Sequence, residues 1–119
     1  KDVESAIFKK RNTNADICIV VTPAGRSPYF NMVKKSTSDL MELVNKPTSP
    51  IFNRQDVPDV FDITTVAYVA SVEFIMNSSN IFDGRVSSIE IPKCRAIDID
   101  DIYDFKFAEC ILNEFQYDK

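Results

Sequence analysis

The sequence predicts an α/β layered fold, and three observations carry that expectation. Helical and extended patterns alternate along the 119 residues. Ile17-Cys18-Ile19-Val20-Val21 is an uninterrupted apolar, largely β-branched run, the signature of a strand covered on both faces. The last third closes on a stretch with helical spacing, whose apolar positions make one wide face.

Each element follows from local pattern. Asp2 to about Arg11 reads as a helix, with Val3, Ala6 and Ile7 on one side and charges on the other. Asn12-Thr13-Asn14 breaks it, the Ile17–Val21 strand follows, and Thr22-Pro23-Ala24-Gly25 ends that strand. Tyr29 to Lys35 and Leu40 to Asn45 read as the arms of a hairpin turning at Ser36-Thr37-Ser38-Asp39. Lys46 to Pro58, with three prolines, holds no periodic pattern and is expected to be a loop. Phe61 to Ser71 returns to a buried strand centred on Val66-Ala67-Tyr68-Val69. Glu73 to Met76 begins a short helix, Asn77 to Gly84 is a loop, and Val86 to Ile91 alternates as a strand stopped by Pro92. From about Asp101, Ile102, Phe105, Ala108, Ile111, Leu112 and Phe115 form the apolar face of a final helix. A strand apolar on both faces needs neighbours and helices on each side, and few such strands are available here. The chain therefore reads either as the second half of a larger sheet or as a sheet closed by dimerisation.

Composition excludes several chemistries. There is no histidine, which removes Ser-His and Cys-His nucleophile pairs and every His-containing metal site. The two glycines, Gly25 and Gly84, cannot build a Gly-rich phosphate loop, so neither a P-loop nor a dinucleotide fingerprint is present. A net charge of −4 with interleaved signs argues against nucleic acid or an anionic membrane as partner. No apolar stretch approaches the roughly 20 residues that span a bilayer, and Lys1-Asp2-Val3-Glu4 opens no signal-peptide pattern. Cys18, Cys94 and Cys110, odd in number and without a CxxC, read as reduced, mostly buried thiols of a cytoplasmic protein.

The chemistry-bearing segment is Ala96-Ile97-Asp98-Ile99-Asp100-Asp101. In a strand, Ile97 and Ile99 would point inward while Asp98 and Asp100 pointed outward together, their Cα atoms roughly 6–7 Å apart. Two carboxylates so placed suit one hard cation, and Mg²⁺ characteristically takes one or two carboxylates plus water and substrate phosphate. Taken alone, the same residues more often form an acidic turn that caps the following helix.

Arg26-Ser27-Pro28-Tyr29-Phe30-Asn31-Met32, Arg54-Gln55-Asp56, Thr64-Thr65-Val66-Ala67-Tyr68, Ser87-Ser88-Ile89-Glu90-Ile91-Pro92 and Ala96-Ile97-Asp98-Ile99-Asp100 come in the order and spacing of a known family. In this ordered set the chain resembles the acylneuraminate cytidylyltransferases, or CMP-sialic acid synthetases, over nearly its whole length. The resemblance implies the C-terminal half of a Rossmann-like nucleotidyltransferase with an inserted dimerisation hairpin and loop at about 28–58. It implies coupling of CTP to an acidic nine-carbon sugar with release of pyrophosphate, the CTP-binding loop lying in a half that is absent here. The isolated chain is accordingly expected to be inactive.

By the same resemblance Asp98 and Asp100 match the metal-binding carboxylates, with Mg²⁺ as the implied cofactor. Arg54 and Gln55 match the residues that meet the sugar-acid carboxylate, a role that suits the planar guanidinium fork; a surface loop arginine is the alternative for Arg54. Tyr68 matches a strand tyrosine of the sugar pocket, with a core aromatic as its alternative. Thr64-Thr65 stands where the family often carries Asn-Gly. Phe82 falls near an aromatic that reaches across the dimer in relatives, and Arg26 suits either a sugar or dimer contact or a surface turn. A homodimer is implied. Related acidic sugars (legionaminic, pseudaminic or keto-deoxyoctonate) are alternative substrates, and a non-catalytic α/β dimerisation module is an alternative of a different class.

Overall fold

The β-branched run at Ile17–Val21 becomes the centre of the computed structural model, which describes residues 1–46 and 53–114 apart from the Arg54 side chain. Along the chain the elements are α1 (Asp2–Arg11), β1 (Ile17–Pro23), β2 (Val33–Lys35), β3 (Met41–Leu43), β4 (Phe61–Ala70), α2 (Val72–Asn77), β5 (Val86–Glu90) and α3 (Ile102–Glu114). Short 3-10 turns occur at Arg54–Asp56 and Lys93–Arg95. The chain divides into two compact units, residues 1–22 with 63–119 and residues 23–62.

The first unit is built on a three-stranded sheet in the order β4-β1-β5. β1 pairs in parallel with β5, from Ile17 opposite Val86 to Val21 opposite Glu90. β4 runs the other way: Thr64 Oγ1 donates to the Val20 carbonyl at 3.0 Å, while Ser71 N donates to the Asp16 carbonyl at 3.4 Å. The sheet is therefore mixed, as an α/β fold of Rossmann-like character allows. Alternation along β1 divides the core into two layers. Cys18 and Val20 pack with Ala6 of α1 and Ile91, flanked by Ala67, Val69, Ile89 and Ala96. Ile17, Ile19 and Val21 face the other way, against Ala70, Phe74, Ile81 and Val86. A single strand thus supplies both cores, and burial of each Ile or Val side chain contributes roughly 1.5–3 kcal/mol.

Two salt bridges tie the unit together. Asp16 receives Arg85 in bidentate fashion (Nη2 to Oδ1 3.1 Å, Nε to Oδ2 3.2 Å) and also accepts the Arg85 backbone N–H at 2.8 Å, locking the starts of β1 and β5. The hydrogen bonds from the Arg85 side chain, and then from its backbone, hold the Asp16 carboxyl down at about 2. Arg95 grips Asp2 of α1 in the same way, at 3.0 and 3.1 Å.

Several expectations are corrected. β4 is not a buried strand: only Thr64 is buried, while Ile63, Val66 and Tyr68 are 42%, 37% and 49% exposed. Apolar residues bury only where a second surface meets them, and β4 lies at the edge of the sheet. The same reason empties the faces of the two long helices. In α1 only Ala6 is buried and Val3 is exposed. In α3 only Ile111 is buried, with Phe105 and Leu112 51% and 67% exposed. Phe115 lies outside the described residues. Cys18 is buried as expected, but Cys94 is half-buried and Cys110 exposed.

The second unit, taken by itself, carries an antiparallel hairpin pairing Val33 with Leu43, Lys34 with Glu42 and Lys35 with Met41. Ser36 N donates to the Leu40 carbonyl at 2.8 Å across the turn, and Asp39 adopts a positive φ of 64°, which a short polar side chain tolerates. The regular arms are shorter than the expected Tyr29–Lys35 and Leu40–Asn45. The Ser27 carbonyl collects the N–H groups of Phe30, Asn31 and Met32, and Asn31 Oδ1 accepts from Ser27 N at 2.7 Å. These side-chain and backbone bonds hold a turn where a strand was expected. Cross-strand pairing puts Val33, Leu43 and Met41 on one face and the Lys34–Glu42 ion pair on the other. Lys46 also meets Glu42, and its hydrogen bond holds that carboxyl below the ordinary range. Most of the expected proline-rich loop, residues 47–52, lies outside the described residues.

Candidate functional site

The C-terminal ends of β1 and β5 lie together, because the two strands run in parallel and in register. The antiparallel sense of β4 brings Thr64 to the same end, opposite Val20. In open α/β sheets this is the end outside which ligands bind. Ile91 N extends the pairing by donating to the Val21 carbonyl at 2.9 Å, Pro92 then ends β5, and the chain turns through Lys93–Arg95. The Arg95–Asp2 ion pair anchors that turn on α1. Residues 96–100 therefore leave from the end of the sheet where β1 and β5 finish.

Those residues belong to no strand. Ile97 is half-buried and Ile99 exposed, so the expected inward pair of isoleucines is corrected: no neighbouring strand holds the segment pleated. Asp98 and Asp100 are both exposed, and neither side chain makes a hydrogen bond or ion pair among the described residues. The helix-capping work falls on the next two acids. Asp101 Oδ1 accepts from Tyr103 N at 2.7 Å and Asp104 N at 3.0 Å, and Asp104 Oδ2 accepts from Asp101 N at 3.1 Å and Asp100 N at 3.2 Å. This reciprocal arrangement satisfies the orphan donors at the start of α3. The two readings of the acidic run therefore fall on different aspartates: Asp101 and Asp104 cap, and Asp98 and Asp100 remain available. As hard oxygen donors those two fit Mg²⁺ in type. Among the described residues no group of three His, Cys, Asp or Glu side chains could hold a metal ion, so a cation here would take its remaining ligands from water or substrate.

The other candidate residues are spread out. Thr64 is buried and its hydroxyl proton is committed to the Val20 carbonyl. Tyr68 lies four residues further along β4, towards the start of β1, on the same face as Ala70. Its half-exposed ring is not a core aromatic. Phe82 is exposed in the loop before β5, at the opposite end of the sheet from Asp98, and its N–H donates to Asn80 Oδ1 at 2.9 Å. In the first unit the segment that carries Asp98 and Asp100 thus leaves from the end of the sheet where Thr64 lies, while Tyr68 and Phe82 lie towards the other. In the second unit, Gln55 is exposed within a turn capped reciprocally by Asn53 and Asp56, and Arg54 opens that turn. The Arg54 side chain lies outside the described residues. Arg26 is exposed.

One residue at that end of the sheet escaped the sequence reading. Thr22, at the end of β1, is buried, and its hydroxyl finds no hydrogen-bond partner among the described residues. The only hint in the sequence is a lone hydroxyl closing an otherwise apolar strand.

The chain is 26% identical over 99 residues to a post-translational flagellin modification protein B of Campylobacter coli, a match covering 83% of this chain and 41% of that protein. It is likewise 26% identical over 95 residues to a CMP-N,N'-diacetyllegionaminic acid synthase of Campylobacter jejuni subsp. jejuni, covering 80% of this chain and 39% of that protein. These similarities support the resemblance to the CMP-sialic acid synthetase-like family. The chain spans about two fifths of the length of these curated relatives. No family model matches it.

Proposed function

We propose that this chain supplies the sugar-binding, metal-binding and dimer-forming part of a CMP-sugar synthase, a cytidylyltransferase that joins CTP to an acidic sugar of the sialic or legionaminic acid type. The observation that carries this reading is the similarity to a CMP-N,N'-diacetyllegionaminic acid synthase over 80% of the chain. The exposed carboxylates of Asp98 and Asp100, free of protein partners among the described residues on the segment that follows β5, support it. In the reaction the anomeric hydroxyl of the sugar attacks the α-phosphorus of CTP. The new phosphorus–oxygen bond replaces the one to the β-phosphate, and pyrophosphate departs while the hydroxyl proton is released.

Asp98 and Asp100 hold Mg²⁺, which when bound neutralises charge on the triphosphate. Arg54 grips the sugar carboxylate through its two-pronged guanidinium, assisted by Gln55. Thr64 shapes the sugar side through the position of β4, while Tyr68, towards the other end of that strand, stands apart from it. Two glycines cannot form the cradle for the phosphates, so that part comes from outside this sequence. The exposed apolar face of the hairpin, with Val33 and Met41, supports a homodimer through that unit, because a two-stranded hairpin is at best marginally stable alone.

The test is pyrophosphate release from CTP, Mg²⁺ and a panel of acidic sugars. It is run on this chain alone and on this chain fused to the part of the Campylobacter jejuni relative that it does not match. Activity only in the fusion, abolished by Asp98→Asn, is the expected result, and the preferred sugar identifies the substrate. A folded fusion that stays inactive with every sugar overturns the reading in favour of a non-catalytic module.

A further inference from the structure

Arg95 is bound where it can act on the candidate metal ligands without touching them. Its guanidinium meets the Asp2 carboxylate in two parallel bonds, Nε to Oδ2 at 3.0 Å and Nη2 to Oδ1 at 3.1 Å. Fork-to-fork pairing of this kind fixes orientation as well as distance. The two side chains are 35% and 19% exposed, which makes this the most shielded ion pair among the described residues. Asp2 itself stands in the first turn of α1, where the helix dipole favours a carboxylate.

The sheet has little need of this pair. β5 is already held to its end by the Ile91 N–H on the Val21 carbonyl and by the burial of Ile91. Arg95 lies beyond that point, and Asp98 follows it by three residues, a reach of at most about 11 Å. Ala96, between them, packs against the core layer that contains Ala6 of α1. On the far side, the Asp100 N–H is held by Asp104 Oδ2 at 3.2 Å. Between these anchors Ile97, Asp98 and Ile99 make no backbone hydrogen bond among the described residues. The placing of the Asp98 carboxylate is therefore inherited from its two ends, one fixed on α1 and one on α3.

We infer that Arg95 is a positioning residue: through Asp2 it fixes the segment that carries Asp98 and Asp100, and so sets their affinity for a divalent cation. The inference rests on the proposed function for the role of those two carboxylates. Metal sites commonly lose about 10–100-fold in affinity when a residue that supports the ligands is removed. An effect of charge through space would look different. Loss of the Arg95 cation would then strengthen cation binding, and loss of the Asp2 anion would weaken it. Loss of the tether weakens binding in both cases.

The experiment titrates Mn²⁺ into the full isotope-labelled chain and follows its amide signals by nuclear magnetic resonance. Mn²⁺ is paramagnetic and takes the same carboxylate and water ligands as Mg²⁺, so broadening at Asp98 and Asp100 reads the affinity of this segment. Arg95→Gln and Asp2→Asn should each raise the half-saturating Mn²⁺ concentration about ten-fold, and the double variant no further. Arg95→Lys, which keeps the charge but not the fork, should weaken binding as well. Arg85→Gln breaks the comparable pair with Asp16 at the opposite end of the sheet, and should leave the titration unchanged. Opposite shifts in Arg95→Gln and Asp2→Asn overturn the inference. So does an equal weakening in Arg85→Gln, or the absence of localised broadening in the parent chain. If the titrations behave as expected but the fusion transfers no cytidylyl group to any sugar, the positioning role stands and the proposed reaction sinks. If the fusion is active and needs Asp98 but the Arg95 and Asp2 variants bind Mn²⁺ like the parent, the reaction stands and the positioning role sinks.

Discussion

The division of labour among four neighbouring aspartates can be tested by separating stability from activity. Asp101→Ala removes the acceptor for the N–H groups of Tyr103 and Asp104, which it holds at 2.7 and 3.0 Å. Both donors sit at an exposed helix start, where water replaces part of the loss, so the cost is set by helix capping rather than by a buried orphan. That cost is about 1 kcal/mol, with a range of roughly 0.5–2. Asp98→Asn removes no protein contact among the described residues and should leave stability within about 0.5 kcal/mol of the parent. Urea unfolding of the two variants measures both quantities on the isolated chain. In the active fusion the order should reverse. Asp98→Asn should lower the rate by about 10²–10³-fold through lost charge stabilisation, while Asp101→Ala stays close to the parent. If Asp98→Asn unfolds as readily as Asp101→Ala, Asp98 is a structural residue and the separation drawn here fails. If Asp101→Ala unfolds like the parent, the capping geometry contributes nothing, and the availability of Asp98 loses its explanation.

Thr64→Val keeps the shape of the side chain but removes its hydrogen bond to the Val20 carbonyl, and should cost about 1 kcal/mol in urea unfolding. Thr22→Val removes a buried hydroxyl that has no partner among the described residues, and should leave the isolated chain as stable or more stable by about 1 kcal/mol; a loss of stability would mean that the hydroxyl is satisfied. Because the folded Asp16 carboxyl sits at about 2, below its ordinary value of 3.8, its contribution is complete above that ordinary value and disappears as pH falls towards 2. Thermal melting between pH 5 and 2 should therefore fall less steeply in Arg85→Gln than in the parent, and parallel curves would refute the assignment. Gly84→Ala places a Cβ 2.6 Å from Phe74 Cε2 and 3.0 Å from Asp16 Cβ and Oδ2. The overpacking should cost about 1–3 kcal/mol, with a smaller penalty in a Phe74→Leu background. An equal penalty in both backgrounds would exclude the Phe74 contact as its cause.

The sequence was most legible where one residue class dominates a whole element. Six consecutive residues of β1 are buried, as a β-branched run requires, and Pro92 and Asp101 mark the end of β5 and the start of α3 by local chemistry alone. The pairings that set the geometry were not legible. Asp16 meets Arg85 across 69 positions, and Asp2 meets Arg95 across 93; nothing in either neighbourhood distinguishes these acids from other surface aspartates. The expected strand through Asp98 and Asp100 drew on alternation, but alternation produces a strand only where another strand supplies hydrogen bonds. Here the segment has left the sheet at Pro92. The candidate site shares that limit. Residue types and order pointed to two carboxylates, but only the capping contacts separate Asp98 and Asp100 from Asp101 and Asp104.

The mismatches between expected and observed burial all have one sign. Ile63, Val66 and Tyr68 of β4 and Ile102, Phe105 and Leu112 of α3 occupy apolar positions, and each is more exposed than its pattern requires. Random error in reading periodicity would scatter in both directions, burying some polar positions while exposing apolar ones. The buried polar residues are instead limited, among those described, to Thr22, Ser27 and Thr64. Thr64 is bonded within the sheet, and Ser27 Oγ accepts the Tyr29 N–H at 3.3 Å. A one-sided excess of exposed apolar surface is what correctly formed elements show when their apolar faces lack a covering partner. Thr22, buried at the end of β1 with a hydroxyl that has no partner among the described residues, fits the same account. Hydrogen exchange at β4 decides between these states. An edge already protected in the lone chain would mean that the interior character of its sequence is satisfied without any further segment.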